Sequence, residues 1–116
     1  MATIKNFTSL EQSKKLEEIL PLDSADMNYA LEDFVDEDTG DVFSIEKVSF
    51  SKPSSAEIGC WSLAALLGVL PNENMLVKTT DGEYYCLAKD VMTKHYDNPV
   101  DACVTMVEKL NELKML

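Results

Sequence analysis

Arginine is absent from this chain of 116 residues, and histidine and tryptophan occur once each. Lysine alone balances the acidic side chains, with 10 lysines against 21 aspartates and glutamates, which leaves a formal net charge of −11. A field of that sign repels phosphate backbones, and without guanidinium groups the chain lacks the forked donors that read guanine or clamp phosphate. We therefore expect no binding to nucleic acid.

A hydrophobic run long enough to cross a bilayer is also lacking. The longest apolar stretch, Trp61 to Leu70, is about half the length that a membrane-spanning helix requires, and Ser62 and Gly68 interrupt it. The start of the chain, Met1 to Asn6, carries one lysine and no apolar run behind it, unlike a secretory signal. We expect a cytoplasmic protein that is neither exported nor inserted in a membrane.

Cysteine, glycine and proline are scarce, with three, four and four residues respectively. The cysteines, Cys60, Cys86 and Cys103, are odd in number and widely spaced, which does not fit a disulfide framework. We expect them to be buried free thiols in a reducing compartment. A hydrophobic share of 46% with few glycines and prolines indicates an ordered globular chain, and the length indicates a single domain, 1–116.

A capping box marks the first helix. Thr8 followed by Glu11 would let each side chain satisfy the backbone amide of the other, which predicts a helix from Ser9 to Leu20. Pro21 ends this helix because the residue before a proline is pushed out of the helical region.

The next segment predicts a β-hairpin with an acidic connection. Met27 to Leu31 alternates as a short strand, and Val42 to Phe50 is rich in branched and aromatic residues, with a bulge expected near Glu46-Lys47. Between the strands, Glu32 to Asp41 carries six acids in ten residues. Such a run is typical of a solvated loop that keeps a protein soluble, and its last four residues, Asp38 to Asp41, predict a turn.

The second half of the chain predicts a helix and a second hairpin. Trp61 to Leu70 has apolar residues at helical spacing and ends at Pro71. Asn74 to Thr80 and Glu83 to Lys89 flank Asp81-Gly82, which is typical of a two-residue hairpin turn.

The last helix carries the clearest start signals. Asn98 fits the N-cap, Pro99 the first helical position and Asp101 the first turn. Apolar residues then repeat at helical spacing, namely Cys103, Met106, Val107, Leu110 and Leu113. The resulting order, α-β-β-α-β-β-α, predicts an α+β domain with an antiparallel sheet and helices packed on it.

The pair Cys60-Trp61, at the start of a predicted helix, is the strongest catalytic candidate. A helix N-terminus lowers a thiol pKa, and papain-like proteases place a Cys-Trp pair there. His95 is the only imidazole, with Asp97 and Asn98 nearby as possible orienting groups. However, Gly59 precedes the pair, the rest of the papain pattern is missing, and the chain is too short for the cleft of those enzymes. We expect a packed thiol and an anchoring indole, and no enzyme.

A zinc site would need the three cysteines and His95 to converge. No two of these residues have the short spacing of a zinc knuckle or ribbon, and Cys103 belongs to the apolar stripe of the last helix.

The acidic run resembles a calcium loop only in part. Counted from Asp36, acids occupy the first and third positions, but Gly40 comes one place early and Lys47 stands where a glutamate should bind. The sequence therefore predicts no metal, no cofactor and no catalytic residue.

Four blocks of the chain resemble a known family. Leu10 to Leu16 with Ile19 to Met27, Cys60 to Leu67 with Leu70-Pro71, Tyr84 to Cys86, and Asp97 to Cys103 are similar, in this order, to blocks in small proteins from gut Bacteroides and their phages or mobile elements. The resemblance implies a cytoplasmic protein of phage or mobile-element type, and it has no assigned chemistry to carry over.

These observations favour a small non-enzymatic interaction or regulatory module with a protein partner, which the acidic charge suggests is basic. A narrower version is a DNA mimic that occupies the basic groove of a host or defence protein. That version requires the acids of Glu32 to Asp41 and those of the first helix to form one face. The alternative from another class is a cysteine-dependent enzyme that uses Cys60.

Overall fold

Three helices pack with two antiparallel sheets in the computed structural model, which describes residues 5–54 and 57–116. The predicted α+β class with antiparallel strands and packed helices is confirmed; two short strands are added, and the strands divide between two sheets. The helices are α1 (Leu10–Glu17), α2 (Leu63–Val69) and α3 (Pro99–Glu112), and a short 3-10 helix spans Leu22–Ser24. The strands are β1 (Met27–Val35), β2 (Val42–Ser49), β3 (Ile58–Cys60), β4 (Met75–Lys78), β5 (Tyr84–Ala88) and β6 (Val91–Met92). Within the described ranges, no helix has the length and apolar character needed to cross a membrane.

The first helix begins at Leu10, one residue later than predicted, and its N-cap is Ser9. The Ser9 hydroxyl accepts a hydrogen bond from the Gln12 amide at 3.2 Å, and the Gln12 side-chain oxygen accepts one from the Ser9 amide at 3.0 Å. The predicted Thr8–Glu11 box is therefore wrong by one position, because the buried Thr8 side chain is bonded elsewhere. The helix also ends at Glu17 rather than Leu20.

Thr8 joins the first helix to both neighbouring strands. Its hydroxyl accepts a hydrogen bond from the Trp61 amide at 3.1 Å and lies 2.8 Å from the Ser13 hydroxyl. Its carbonyl accepts a hydrogen bond from the Tyr29 hydroxyl at 2.8 Å, and its amide donates to the Trp61 carbonyl at 2.9 Å. One fully buried threonine thus connects α1, β1 and the end of β3.

The first sheet has the order β2-β1-β3. Strand β1 continues to Val35, so the predicted acidic loop is half strand and half turn. The register runs unbroken from the Asn28–Ser49 pair to the Val35–Val42 pair, and the bulge predicted near Glu46-Lys47 is wrong. Val42 and its neighbour Phe43 are both exposed, so neither face of β2 is buried where the strand begins.

In the second sheet, of strand order β4-β5-β6, the two-residue turn does not lie at the predicted Asp81-Gly82. At Asp81-Gly82 only the glycine has a positive φ, and the Gly82 amide bonds to the Thr79 carbonyl, so the loop is longer than two residues. The two-residue turn lies instead at Lys89-Asp90, where both φ angles are positive and Ala88 pairs with Val91. This is the geometry of a type I′ turn, which requires a positive φ at both central residues.

Helix α3 is the centre of the main core. It contacts β5 and α2, and eight of its residues are buried. Helix α2 begins at Leu63 with Ser62 as N-cap, two residues later than predicted. Trp61 is fully buried before that helix, and its indole nitrogen donates to the Ser24 hydroxyl at 2.9 Å. The fully buried members of this core include Leu16, Leu66, Val100, Cys103, Met106, Val107 and Leu110.

A polar clasp ties the start of the described chain to α3. Lys5 donates to Asp101 at 2.9 Å and to the Gln12 side-chain oxygen at 2.7 Å, while the Gln12 side-chain amide donates to the same Asp101 oxygen at 2.8 Å. Asn98, the confirmed N-cap of α3, donates to the other Asp101 oxygen at 2.8 Å. Partial burial raises the pKa of Asp101, but hydrogen bonds from Lys5, Asn98 and Gln12 and the lysine charge outweigh it, so the pKa lies below its usual value.

We expect Asp101→Asn to lower the free energy of unfolding at neutral pH by about 1 kcal/mol, because the amide cannot reproduce a charge-assisted acceptor. A carboxylate with a depressed folded-state pKa stabilises above its unfolded pKa of about 3.9, and this contribution is lost as the pH falls through the folded-state pKa. The difference in unfolding free energy between wild type and variant should therefore disappear in acid. Denaturant melts at several pH values measure this. Asp97→Asn, an exposed neighbour, is the control. A gap that persists unchanged in acid would contradict the assignment.

Candidate functional site

The Cys60 thiol lies inside the protein. Its side chain is fully buried, its sulfur donates to the Thr8 carbonyl at 3.5 Å, and the Thr8 hydroxyl donates to that sulfur at 3.7 Å. Burial raises the pKa of the Cys60 thiol above its ordinary value, although hydrogen bonds from Thr8, Ser13 and Tyr29 act in the opposite direction. A protonated, inaccessible thiol is a poor nucleophile.

His95 and its predicted orienting groups serve other contacts. The imidazole is exposed and stacks on Tyr85 with ring centroids 5.0 Å apart, and its Nδ1 lies 3.9 Å from a Glu83 oxygen. Asn98 caps α3, and Asp97 accepts a hydrogen bond from the Asn98 side chain. Within residues 5–54 and 57–116, no hydrogen bond or ion pair joins His95 to the Cys60 thiol.

The other two thiols face each other in the core. Cys86 on β5 and Cys103 on α3 are both fully buried and close enough for each to affect the pKa of the other. This contact and burial raise the pKa of the Cys103 thiol far above its ordinary value. Among the described residues, no three histidine, cysteine or acidic side chains come close enough together to hold a metal ion.

The acids of the partial calcium pattern stabilise a turn. One Asp36 oxygen accepts hydrogen bonds from the amides of Asp38 and Thr39, at 2.8 and 3.3 Å. The Asp36 carbonyl accepts from the Gly40 amide at 2.8 Å, and Gly40 takes the positive φ that this reversal requires. The Asp36 carboxylate is thus used in closing the hairpin.

The most distinctive outward feature is the free end of the β1–β2 hairpin, residues 30–47, which we call the acidic arm. Strand β3 pairs with β1 only at Met27–Tyr29, so the acidic arm is a ribbon of two strands beyond that point. Every residue from 32 to 44 is exposed. The molecule measures 56 × 35 × 22 Å, and its radius of gyration of 16.4 Å exceeds the roughly 13 Å of a compact chain of this length. The projecting arm fits this elongation.

Four apolar side chains lie exposed at the end of the acidic arm. Phe34 and Phe43 are cross-strand partners and stack with centroids 5.8 Å apart, yet remain 41% and 46% exposed. Val35 and Val42 form the next pair, on the opposite face, and are 64% and 66% exposed. Pairs of this kind stabilise a hairpin, but the outer surfaces of the rings and methyl groups still face water.

The acidic arm also carries more than half of the net charge. It has seven acids and one lysine, hence a formal charge of −6 out of −11. The lysine, Lys47, forms an exposed ion pair with Glu32 at 3.2 Å, so that pair is neutralised. The acids are Glu32, Asp33, Asp36, Glu37, Asp38, Asp41 and Glu46.

The acids in and beside the first helix have different neighbours. Glu18, the residue that follows α1, lines a groove of about 330 Å³ together with Glu108 and Glu112 of α3. Glu17 accepts a hydrogen bond from the Gly59 amide at 2.8 Å. Helix α1 packs on β3 and α3. The single acidic face required of a DNA mimic therefore receives no support from these contacts.

Comparisons of this chain with family models, with curated proteins and with solved structures found no match. The resemblance to small Bacteroides and phage proteins stays a prediction.

Sequence reasoning missed the apolar end of the acidic arm. Phe34 and Val35 interrupt a run of acids, and a loop assignment left them without a partner. The available signal was the matching pair Val42-Phe43 at the start of the next strand, which places two apolar pairs in register when the turn is closed between Asp36 and Asp41.

We expect all three thiols of the native protein to resist an aromatic disulfide reagent at about pH 8, because each is fully buried. Unfolding in guanidinium should release three reactive thiols, which is the internal control. Absorbance of the released thiolate measures both. Prompt reaction of one native thiol, abolished by Cys60→Ser, would instead support the cysteine-enzyme alternative.

Proposed function

We propose that this protein is a small non-enzymatic interaction module that binds a basic protein partner through its acidic arm. The observation that carries the proposal is the stacked Phe34–Phe43 pair at the end of an exposed, strongly acidic hairpin. Binding energy at protein interfaces concentrates in a few aromatic and apolar side chains that a partner removes from water.

The composition of the acidic arm supports a protein partner of opposite charge. Apolar side chains rimmed by charged residues are typical of interaction surfaces. The surrounding acids, Asp33, Asp36 and Asp41 among them, would speed encounter with a basic surface and make the association sensitive to salt. A two-stranded ribbon by itself is only marginally stable, so a partner that covers it adds order as well as contact.

The interior supports a role without catalysis. Cys60 is hydrogen-bonded to Thr8, and Cys86 and Cys103 lie together in the core as buried thiols, so the thiols serve packing. The free state of these cysteines supports action in the reducing cytoplasm. The resemblance to phage and mobile-element proteins supports a regulatory role, in which the acidic arm binds to and covers a functional surface of the partner.

We expect Phe34→Ser with Phe43→Ser to reduce recovery of the partner at least tenfold in affinity capture from the native host, because the central apolar contact is lost. The partner should be basic, and its recovery should fall as salt rises from about 50 to 300 mM. Quantitative mass spectrometry of the captured proteins measures this.

The matched control is Met75→Ser with Met92→Ser, which removes two exposed apolar side chains from the second sheet. This variant should capture the partner as the wild type does. Equal recovery by all three proteins, or an acidic partner, would refute the proposal. Displacement of the captured partner by duplex DNA would favour the DNA-mimic version.

A further inference from the structure

We infer that the outer edge of β2 receives an extended segment of the basic partner as an added strand, in which apolar and basic residues alternate. This inference rests on the proposed function and names the way in which the acidic arm binds. Strand addition to a sheet edge uses backbone hydrogen bonds for affinity and alternate side chains for specificity.

Strand β2 has one neighbour in the described parts of the chain, which is β1. It is eight residues long, from Val42 to Ser49, and its register to β1 has no bulge. Proteins usually protect such an edge by short strands, prolines, bulges or charged side chains. Strand β2 has no proline and no bulge, and of these devices it carries only the charges of Glu46 and Lys47.

The hydrogen-bonding phase of the hairpin shows which backbone groups face outward. The Asp36 amide donates to the Asp41 carbonyl at 2.8 Å, so this pair is a bonded one, and bonded pairs alternate along an antiparallel ladder. In the Phe34–Phe43 pair, the backbone groups are then hydrogen-bonded to each other. The Asp33–Ser44 pair is a non-bonded pair, so its backbone amides and carbonyls point to the two outer edges of the hairpin.

A contact at the other side of β1 agrees with this phase. In this phase the odd-numbered residues of β1 direct their backbone groups away from β2, whereas Asn28 directs its groups toward β2. The β3 residue opposite Asn28 is Gly59, so the Gly59 amide should not be hydrogen-bonded to β1. The Gly59 amide indeed donates to Glu17 at 2.8 Å. The outward groups of β2 therefore belong to Val42, Ser44, Glu46 and Val48.

Charge selects the occupant of this edge. A second copy of the chain would bring another arm of formal charge −6 against the first, and like charges placed opposite each other are destabilising. A strand with alternating lysines avoids this repulsion. Its apolar residues would lie beside Phe43 on the face of the aromatic pair, and its cations on the face of Asp33, whose carboxylate accepts from the Ser44 hydroxyl.

The probe is the peptide Lys-Val-Lys-Phe-Lys-Val-Lys, titrated into the labelled full chain and followed by amide chemical shifts and hydrogen exchange. We expect new protection at the Val42, Ser44 and Val48 amides and little change at the Phe43 amide, which is already bonded. The peptide Lys-Lys-Lys-Lys-Val-Phe-Val has the same composition and charge without alternation, and should bind at least tenfold more weakly.

Two further comparisons separate backbone pairing from simple charge attraction. Alternate amides of the bound peptide face β2, and the amides between them face solvent. N-methylation of the set that faces β2 should abolish binding, whereas N-methylation of the set that faces solvent should leave it unchanged. Ser44→Pro removes an outward donor without touching the β1–β2 ladder and should weaken binding at least tenfold, whereas Ser44→Ala should bind within about threefold.

Equal binding of both peptides and of both N-methyl frames would overturn strand addition and leave a purely electrostatic contact. Failure of the alternating peptide to bind at low salt would also overturn it, as would a dimer that protects the same amides. The proposed function fails separately, when the Phe34 and Phe43 substitutions leave capture of the partner unchanged.

Discussion

The buried hydrogen bonds of Thr8 hold the rest of this structure together. The residue has no exposed surface, and its amide, carbonyl and hydroxyl all have partners, on Trp61, Tyr29 and Ser13. Groups bonded in a dry interior are costly to leave unpaired, so α1, β1 and the end of β3 must keep their positions together. The same contacts enclose Cys60, which explains why the most reactive side chain type in the chain is sealed inside.

A closed body of this kind leaves the outward chemistry to the acidic arm. The arm has apolar side chains that the body does not bury, and among the described residues its only ion pair is internal, between Glu32 and Lys47. The tight type I′ turn at Lys89-Asp90 and the cap of α3 keep the second half compact. Stability and the proposed recognition thus reside in different parts of the chain, and substitutions in one part should leave the other largely unaffected.

The elements with strong local signals could be predicted from the sequence. Asn98, Pro99 and Asp101 define the start of α3 through local contacts alone, and the first hairpin follows from its strand patterns. The capping box was misplaced because Thr8 and Ser9 both begin a matching pattern, and only the distant Trp61 amide decides between them. The length of the two-stranded acidic arm depends on where β3 stops pairing with β1, and no local sequence pattern predicts that point.

Native-state hydrogen exchange of the wild type and of Thr8→Val tests the separation of body and arm most directly. Valine keeps the shape but removes the acceptor of the Trp61 amide, which should cost about 2 kcal/mol and reduce protection of the Val104 and Val107 amides in α3 roughly 30-fold. The Phe34 and Phe43 amides should have lower protection that does not change. The account would be contradicted if the amides of α3 and those of the acidic arm had equal protection from exchange in the wild type and lost it to the same extent in the variant.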